Sequence, residues 1–206
     1  MAEEQKVPIL CYFDGEGRAE LTRLCFKAGG IAFEDRRLTH EEFGALKADP
    51  TSIVGLKFGS VPILVHWDLH IAQSVAISQY AADLGINAKV TPAQRAVDAQ
   101  VALTHEDLRG AMYKCLFGDE EGKAAGAEAL PAAVKKFFGP LNAICPEAGF
   151  IHGGAAPTLS DMAIYNCVTS KFPGLLALGQ DLSAYPGALA VVESVKAFLA
   201  TKKETC

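Results

Sequence analysis

The apolar pattern of the chain opens with a nearly continuous run over residues 7–13, which predicts a buried first strand. Asp14-Gly15-Glu16-Gly17 reads as a turn. Over residues 18–28, Leu21, Leu24, Cys25 and Ala28 then share one helical stripe, which Gly29-Gly30 stops. Residues 31–38 predict a second strand, and strand, helix, strand at this spacing is a βαβ unit with parallel strands. Thr39 suits an N-cap, with Glu41 and Glu42 in the first turn and Phe43 and Leu46 as the apolar face of a short helix that ends at Asp49-Pro50.

After a loop, residues 61–66 are β-branched and apolar apart from Pro62, which cannot donate to a ladder, so this strand is expected to be short or interrupted. Trp67-Asp68 marks a tight reversal. Residues 71–80 show helical spacing through Val75, Ile77 and Tyr80, so a hairpin is expected to deliver the chain into a helix beginning at Gln73 and Ser74. A helix start offers unpaired N–H groups and partial positive charge, and a serine there adds a donor, which together suit a small carboxylate. If Pro62 is cis, the free edge beside it suits an extended peptide added as a strand. The plainer reading of the same stretch is an ordinary hairpin with a capped helix.

Beyond a linker at residues 85–91 the pattern becomes wholly helical. Thr91-Pro92 is an N-cap with proline at the first helical position, and Val97, Val101, Leu108 and Met112 recur inward as far as residue 116. Residues 118–126 read as a break, residues 127–141 as the next helix, and Pro140 and Pro146 flank its end. Thr158-Leu159-Ser160-Asp161 has the form of a capping box with Asp161 at the third helical position. A last helix opens at Pro186-Gly187 and ends near residue 200.

Composition narrows the function class. With 206 residues, half of them apolar, the chain can bury a core without disulfides or metals. A net charge of −5 provides no basic excess for nucleic acid or an anionic membrane. The polar start at residues 1–6 lacks the apolar core of a signal peptide, and no run of 18 apolar residues occurs, so a cytoplasmic location is expected. The six cysteines (11, 25, 115, 145, 167 and 206) form no C-x-x-C pair and read as reduced and mostly buried. His66 and His70 are four apart but across a hairpin, so no metal site is expected.

Four passages, in order and spanning nearly the whole chain, carry a resemblance: Leu10-Cys11-Tyr12-Phe13 with Gly17-Arg18-Ala19-Glu20, then residues 58–64, then Gln73-Ser74 with Ala76-Ile77, and the cap at residues 158–161. The chain resembles the cytosolic glutathione transferases, most closely the sigma class with its glutathione-dependent prostaglandin D synthases. The resemblance implies an α/β N-terminal thioredoxin-like domain over residues 1–84, which binds glutathione. It also implies an all-α C-terminal domain over residues 85–206, which shapes the electrophile site, and a homodimer. The implied activity is detoxification chemistry in which glutathione is co-substrate, its thiol activated for conjugation to, or isomerisation or reduction of, small hydrophobic electrophiles.

Tyr12 stands seven residues before Ala19, where the family's catalytic tyrosine stands, and Arg18 matches a residue that adds positive potential beside it. Where omega-like members carry a cysteine and theta- or delta-like members a serine, this chain has Glu16. Gln73 and Ser74 match the γ-glutamyl binders, Val61 and Pro62 the pair whose backbone meets the cysteinyl unit, and Lys47 the partner of the glycine carboxylate. Glu106 and Asp107 are both candidates for the acid that reaches the γ-glutamyl amine from the partner subunit. Phe43 occupies the place of a tryptophan donor, and residues 48–57 look longer than usual, both departures from the sigma pattern. For the electrophile pocket the expected lining is Phe13, Leu108, Met112 and Phe117. By strand alternation, a Tyr12 that faces the site leaves Cys11 facing the core. The rival expectation is a catalytically weak glutathione-binding or structural protein on the same scaffold, as crystallins related to sigma transferases are.

Overall fold

A computed structural model describes residues 7–56 and 58–202. The chain begins with β1 (Ile9–Phe13), a 3₁₀ turn at Gly17–Ala19, α1 (Glu20–Gly29), β2 (Glu34–Leu38) and α2 (His40–Ala48). It continues through β3 (Ile63–His66), β4 (Leu69–Ala72) and α3 (Ser74–Leu84). Four further helices follow: α4 (Pro92–Lys114), α5 (Glu120–Ile144), α6 (Leu159–Thr169) and α7 (Pro186–Ala200). The four strands form one sheet in the order β2-β1-β3-β4. β1 pairs with β2 in parallel and with β3 antiparallel, and β3 and β4 form the hairpin. The architecture is a thioredoxin-like α/β unit followed by helices.

The expected order of elements holds, and the boundaries move for local reasons. The second strand starts at Glu34 rather than residue 31. Gly30 adopts a left-handed φ of 67° to close α1, the Ile31 N–H returns to the Phe26 carbonyl, and Phe33 stacks on Phe26 at 4.6 Å. Ile71 and Ala72 belong to β4, paired with Leu64 and Ile63, so the helical spacing read from residue 71 is corrected. Gln73 is the N-cap of α3, at φ 76°, and not its first residue. The break expected at residues 118–126 is shorter, because Asp119 caps α5 by accepting the Gly122 N–H at 2.9 Å. Gly126 lets α5 approach the end of α4, where an added Cβ would sit 2.7 Å from the Lys114 carbonyl. Pro140 lies inside α5 rather than at its end.

One apolar core runs from the sheet into the helices. Leu10, Leu64, Phe26 and Ile77 are continuous with Met112, Phe138, Leu159 and Ile164. α1 packs against α3, α6 and α7, and α4 packs against α5 and α6. Buried polar groups fix the register of these helices. Thr22 and Ser78 hydroxyls meet at 2.9 Å between α1 and α3, and the Asp98 carboxylate of α4 accepts from the Thr158 and Ser160 hydroxyls at the start of α6. Among the described residues no helix is long and apolar enough to cross a membrane.

Candidate functional site

β1, an interior strand, carries Tyr12 to its C-terminal end, where the chain turns toward α1. The turn closes over the tyrosine: a Cβ at Gly17, which has φ +44°, would fall 2.5 Å from the Tyr12 hydroxyl, so only glycine fits. The next residue supplies a partner, since the Arg18 backbone N–H donates to the Tyr12 hydroxyl at 3.2 Å. A phenol oxygen that accepts there keeps its own proton free to donate elsewhere.

Arginines hold this turn by three successive carbonyls. Arg23, buried on α1, donates from Nη1 to Gly15 and Glu16 carbonyls at 2.8 and 3.2 Å, and its Nε grips Asp35 of β2. Arg109, on α4 and 1% exposed, donates from Nη1 to the Gly17 carbonyl at 2.7 Å. Glu16 secures the other side: its Oε2 accepts from the Ser170 hydroxyl at 2.7 Å and the Lys171 N–H at 2.6 Å, while the Gly17 N–H reaches the Phe172 carbonyl. Glu16 is therefore a clasp between the turn and the segment after α6.

The Arg18 guanidinium is engaged by α4. Its Nε donates to Glu106 at 3.2 Å, and its Cζ lies 4.9 Å over the Tyr113 ring. Glu106 also pairs with Arg109, at 3.1 Å, so two cations share one carboxylate. Arg109 Nη2 meets His105 Nε2 at 3.1 Å. Burial first, and the Arg109 charge second, push His105 well below its ordinary pKa, so the imidazole is neutral and accepts at Nε2. Burial, and then the neighbouring Tyr12, push the Tyr113 phenol up, while Arg109 and Arg18 pull the other way.

Beside this cluster opens a cleft of about 760 Å³. Ser60, Val61 and Pro62 form one wall, Gln73, Ser74 and Val75 another, and Arg18 and Glu106 the side toward α4. The first intrahelical bond of α3 runs from the Ile77 N–H to the Gln73 carbonyl, so the N–H groups of Ser74, Val75 and Ala76 precede the ladder and face this end of the helix. The Val61-Pro62 peptide is cis and sheet pairing starts at Ile63, so Val61 lies outside the ladder. Donors at a helix N-terminus, a serine hydroxyl and unladdered backbone suit a peptide-like molecule with a carboxylate at one end.

The expected residues divide. Arg18, Val61, Pro62, Gln73, Ser74 and Glu106 come together around the cleft. Tyr12 lies one hydrogen bond behind it, and Lys47 runs along Gly59, just before the cleft wall. Phe13 packs edge to face on Phe43 at 5.1 Å and on Tyr12 at 5.5 Å, between α2 and the tyrosine. Asp107 is exposed and lines a groove with Lys136 and Phe137, so it does not share the cleft with Glu106. Leu108 and Met112 are 3% and 0% exposed and belong to the core, which corrects their expected place in an electrophile pocket. Phe117 is exposed and meets Tyr113 at 5.6 Å and Phe172 at 5.9 Å, forming an aromatic wall near Arg18.

Sequence reading missed Arg109, Tyr113, Ser60 and Phe172. The signal for the first was an arginine on the same helical stripe as Val101, Leu108 and Met112, since a cation on a buried face requires fixed partners. At each described cysteine, burial favours the neutral thiol. Burial raises Cys11, Cys25 and Cys115, pushes Cys145 up to about 11 and Cys167 to about 12, and Cys206 lies outside the described residues. Cys11 is buried on the sheet face opposite Tyr12.

No family model matches the chain. It is 30% identical over 208 residues to glutathione S-transferase 3 of Caenorhabditis elegans, covering 95% of this chain and 97% of that protein. Hematopoietic prostaglandin D synthase of Gallus gallus is 28% identical over 89% of this chain and 94% of its own length. Among solved structures, a nematode-specific glutathione S-transferase of C. elegans superposes with a TM-score of 0.74 at 27% identity, covering 95% of this chain and 96% of that one. A rat prostaglandin D synthase complexed with a quinoline has a TM-score of 0.74 at 22% identity over 96% of this chain and 98% of its own, a likeness of fold.

Proposed function

The chain belongs to the glutathione S-transferase family, and on that premise we propose that it binds glutathione in the cleft at the start of α3 and activates the thiol through Tyr12. The observation that carries this reading is the meeting, at one cleft, of the unpaired N–H groups of α3 with the turn that holds Tyr12 and Arg18. The γ-glutamyl carboxylate sits at Ser74 and the neighbouring backbone N–H groups, with Gln73 beside it. Val61 and Pro62 meet the cysteinyl unit, and Lys47 the glycine carboxylate. Phe43 brings no donor to that end.

The chemical task is to ionise sulfur. A thiol of pKa near ~8.5 is a few per cent thiolate at neutral pH, and lowering it by about 2 units needs roughly 2.7 kcal/mol of preference for the anion. A hydrogen bond from the Tyr12 hydroxyl to sulfur favours the thiolate, whose lost proton leaves to solvent. The thiolate then attacks a small apolar electrophile held against the aromatic wall of Tyr113, Phe117 and Phe172. We place the enzyme nearest the sigma class, supported by the similarity to the avian prostaglandin D synthase along most of both chains. Residues 1–84 act as the glutathione-holding unit and residues 85–206 as the unit that shapes the electrophile site.

The ultraviolet absorbance of glutathione bound to the protein, followed against pH, tests the reading directly. A bound thiol that ionises about 2 units below the free one supports it. An unshifted thiol, or no binding, leaves a scaffold that binds or builds without catalysing.

We also propose a homodimer, in which Asp107 reaches the partner's glutathione amine. Glu106 is committed to Arg18 and Arg109 in its own subunit, whereas Asp107 is exposed on the outer flank of α4. Exposed Leu103 on α4 and Trp67 at the hairpin tip suit burial against a second copy. Sedimentation equilibrium should give twice the chain mass, and a monomer at micromolar concentration would remove this role from Asp107.

A further inference from the structure

We infer that Arg109 is a positioning residue for Tyr12, acting through the peptide unit that joins Gly17 to Arg18. The inference rests on the thiol-activating role proposed for Tyr12 and adds a residue to it.

One amide plane connects the two side chains. Its carbonyl, on Gly17, accepts from Arg109 Nη1 at 2.7 Å, and its N–H, on Arg18, donates to the Tyr12 hydroxyl at 3.2 Å. A cation on the oxygen of an amide draws electron density from the nitrogen and strengthens the N–H as a donor, and hydrogen bonds in such a chain reinforce one another. The Tyr12 oxygen, accepting this N–H, keeps its own proton free to donate to sulfur. The same contact fixes the peptide plane, because a carbonyl pinned by a buried guanidinium cannot rotate its N–H away from the phenol.

The charges of the cluster work in the same direction. Arg18 and Arg109 share Glu106, which leaves one net positive charge beside Tyr12. His105 contributes none, being neutral and an acceptor, and Tyr113 is an uncharged phenol under Arg18. Arg23, its Cζ 5.9 Å from the Tyr12 ring centroid, is paired with Glu20 and Asp35 and adds no net positive charge. Arg109 is 1% exposed, so its field at the peptide is little screened. Its placement is specific: Nη1 and Nη2 hydrogen-bond to Gly17 and His105, while Nε makes no hydrogen bond and lies 3.1 Å from the Glu106 carboxylate as an ion pair. This is a use of the guanidinium fork that a point cation cannot reproduce. Because Arg109 comes from α4 and Gly17 from the turn after β1, the helical part of the chain sets the geometry of the tyrosine on the sheet.

The test is the pH titration of glutathione thiolate absorbance on the wild type, Arg109→Met, Arg109→Lys, Tyr12→Phe and the double variant Arg109→Met/Tyr12→Phe. Arg109→Met is expected to raise the bound thiol pKa by about 0.5–1 unit, a roughly 3- to 10-fold loss of thiolate at neutral pH. Arg109→Lys should restore part of that shift. In the Tyr12→Phe background the Arg109→Met change should have a clearly smaller effect, that of the lost charge alone, because there is no hydroxyl left to position; a merely structural arginine would weaken both backgrounds alike. If the methionine variant does not fold, Arg109→Lys carries the comparison. A lysine reaches one acceptor in place of two, so a thiol pKa between the wild-type and Tyr12→Phe values is then expected. A wild-type pKa in a folded Arg109 variant, or equal shifts in both backgrounds, overturns the inference alone. An unshifted thiol in the wild type overturns the role of Tyr12 and this inference with it.

Discussion

Tyr12→Phe is expected to leave glutathione affinity within about twofold of wild type and to lower kcat/KM at neutral pH by roughly 30- to 100-fold. Binding survives because the contacts that hold the peptide come from Ser74, the α3 N–H groups and the Val61-Pro62 backbone, none of which touches the phenol. Turnover falls because the hydroxyl acts on the anion and hardly on the thiol, so its removal costs the reacting state selectively. The loss should narrow as pH rises past about 8.5, where free glutathione ionises unaided. The substitution also strands the Arg18 N–H, whose partner is the Tyr12 hydroxyl, so a small loss of stability accompanies it. Steady-state kinetics from pH 6 to 9 in the two proteins decides the matter, and turnover equal to wild type would sink the assignment.

The second large effect is on folding. Asp161→Ala is expected to destabilise the protein by roughly 3–5 kcal/mol, read from urea or guanidinium unfolding. Asp161 is fully buried, and its two oxygens accept from the Ile151 and Thr158 N–H groups, each at 2.8 Å. Alanine leaves both donors without a partner in a site that water does not reach, and each such group costs about 1–3 kcal/mol. The Thr158 hydroxyl is meanwhile used elsewhere, donating to Asp98 at 2.9 Å, so the start of α6 is tied to α4 as well as capped. Asp161→Asn keeps one acceptor oxygen and should recover part of the loss. A midpoint unchanged in Asp161→Ala would mean that α6 is held by its apolar faces alone.

Asp161 was legible as a cap because capping is local: a threonine three residues before an acid, followed by apolar residues, has few other readings. The same holds for Thr39 and Thr91, which both close reciprocal boxes with Glu42 and Gln94. Periodicity likewise gave the order of elements, and the helix start near Gln73-Ser74 could be read from the hairpin before it. Boundaries failed where distant contacts decided. Ile71 was drawn into β4 by Leu64, and Gly126, read as part of a break, lies inside α5 against the end of α4. Leu108 and Met112 were misplaced because an apolar helix face looks the same whether it lines a pocket or fills a core.

By itself, then, the sequence determined what depends on neighbours within a few residues: the helices and strands, their caps, the tyrosine at the end of the first strand and the donor-rich start of α3. Only the tertiary structure decided which groups work together. It set Arg109 against the Gly17 carbonyl across 92 positions of chain. It made Glu16 a clasp on Ser170, and set the Arg18 guanidinium on Glu106 and the Arg18 N–H on the Tyr12 phenol. The reason is that a helical or strand period reports the face on which a side chain lies, whereas a hydrogen bond between remote segments depends on how those faces are packed, which no local pattern encodes.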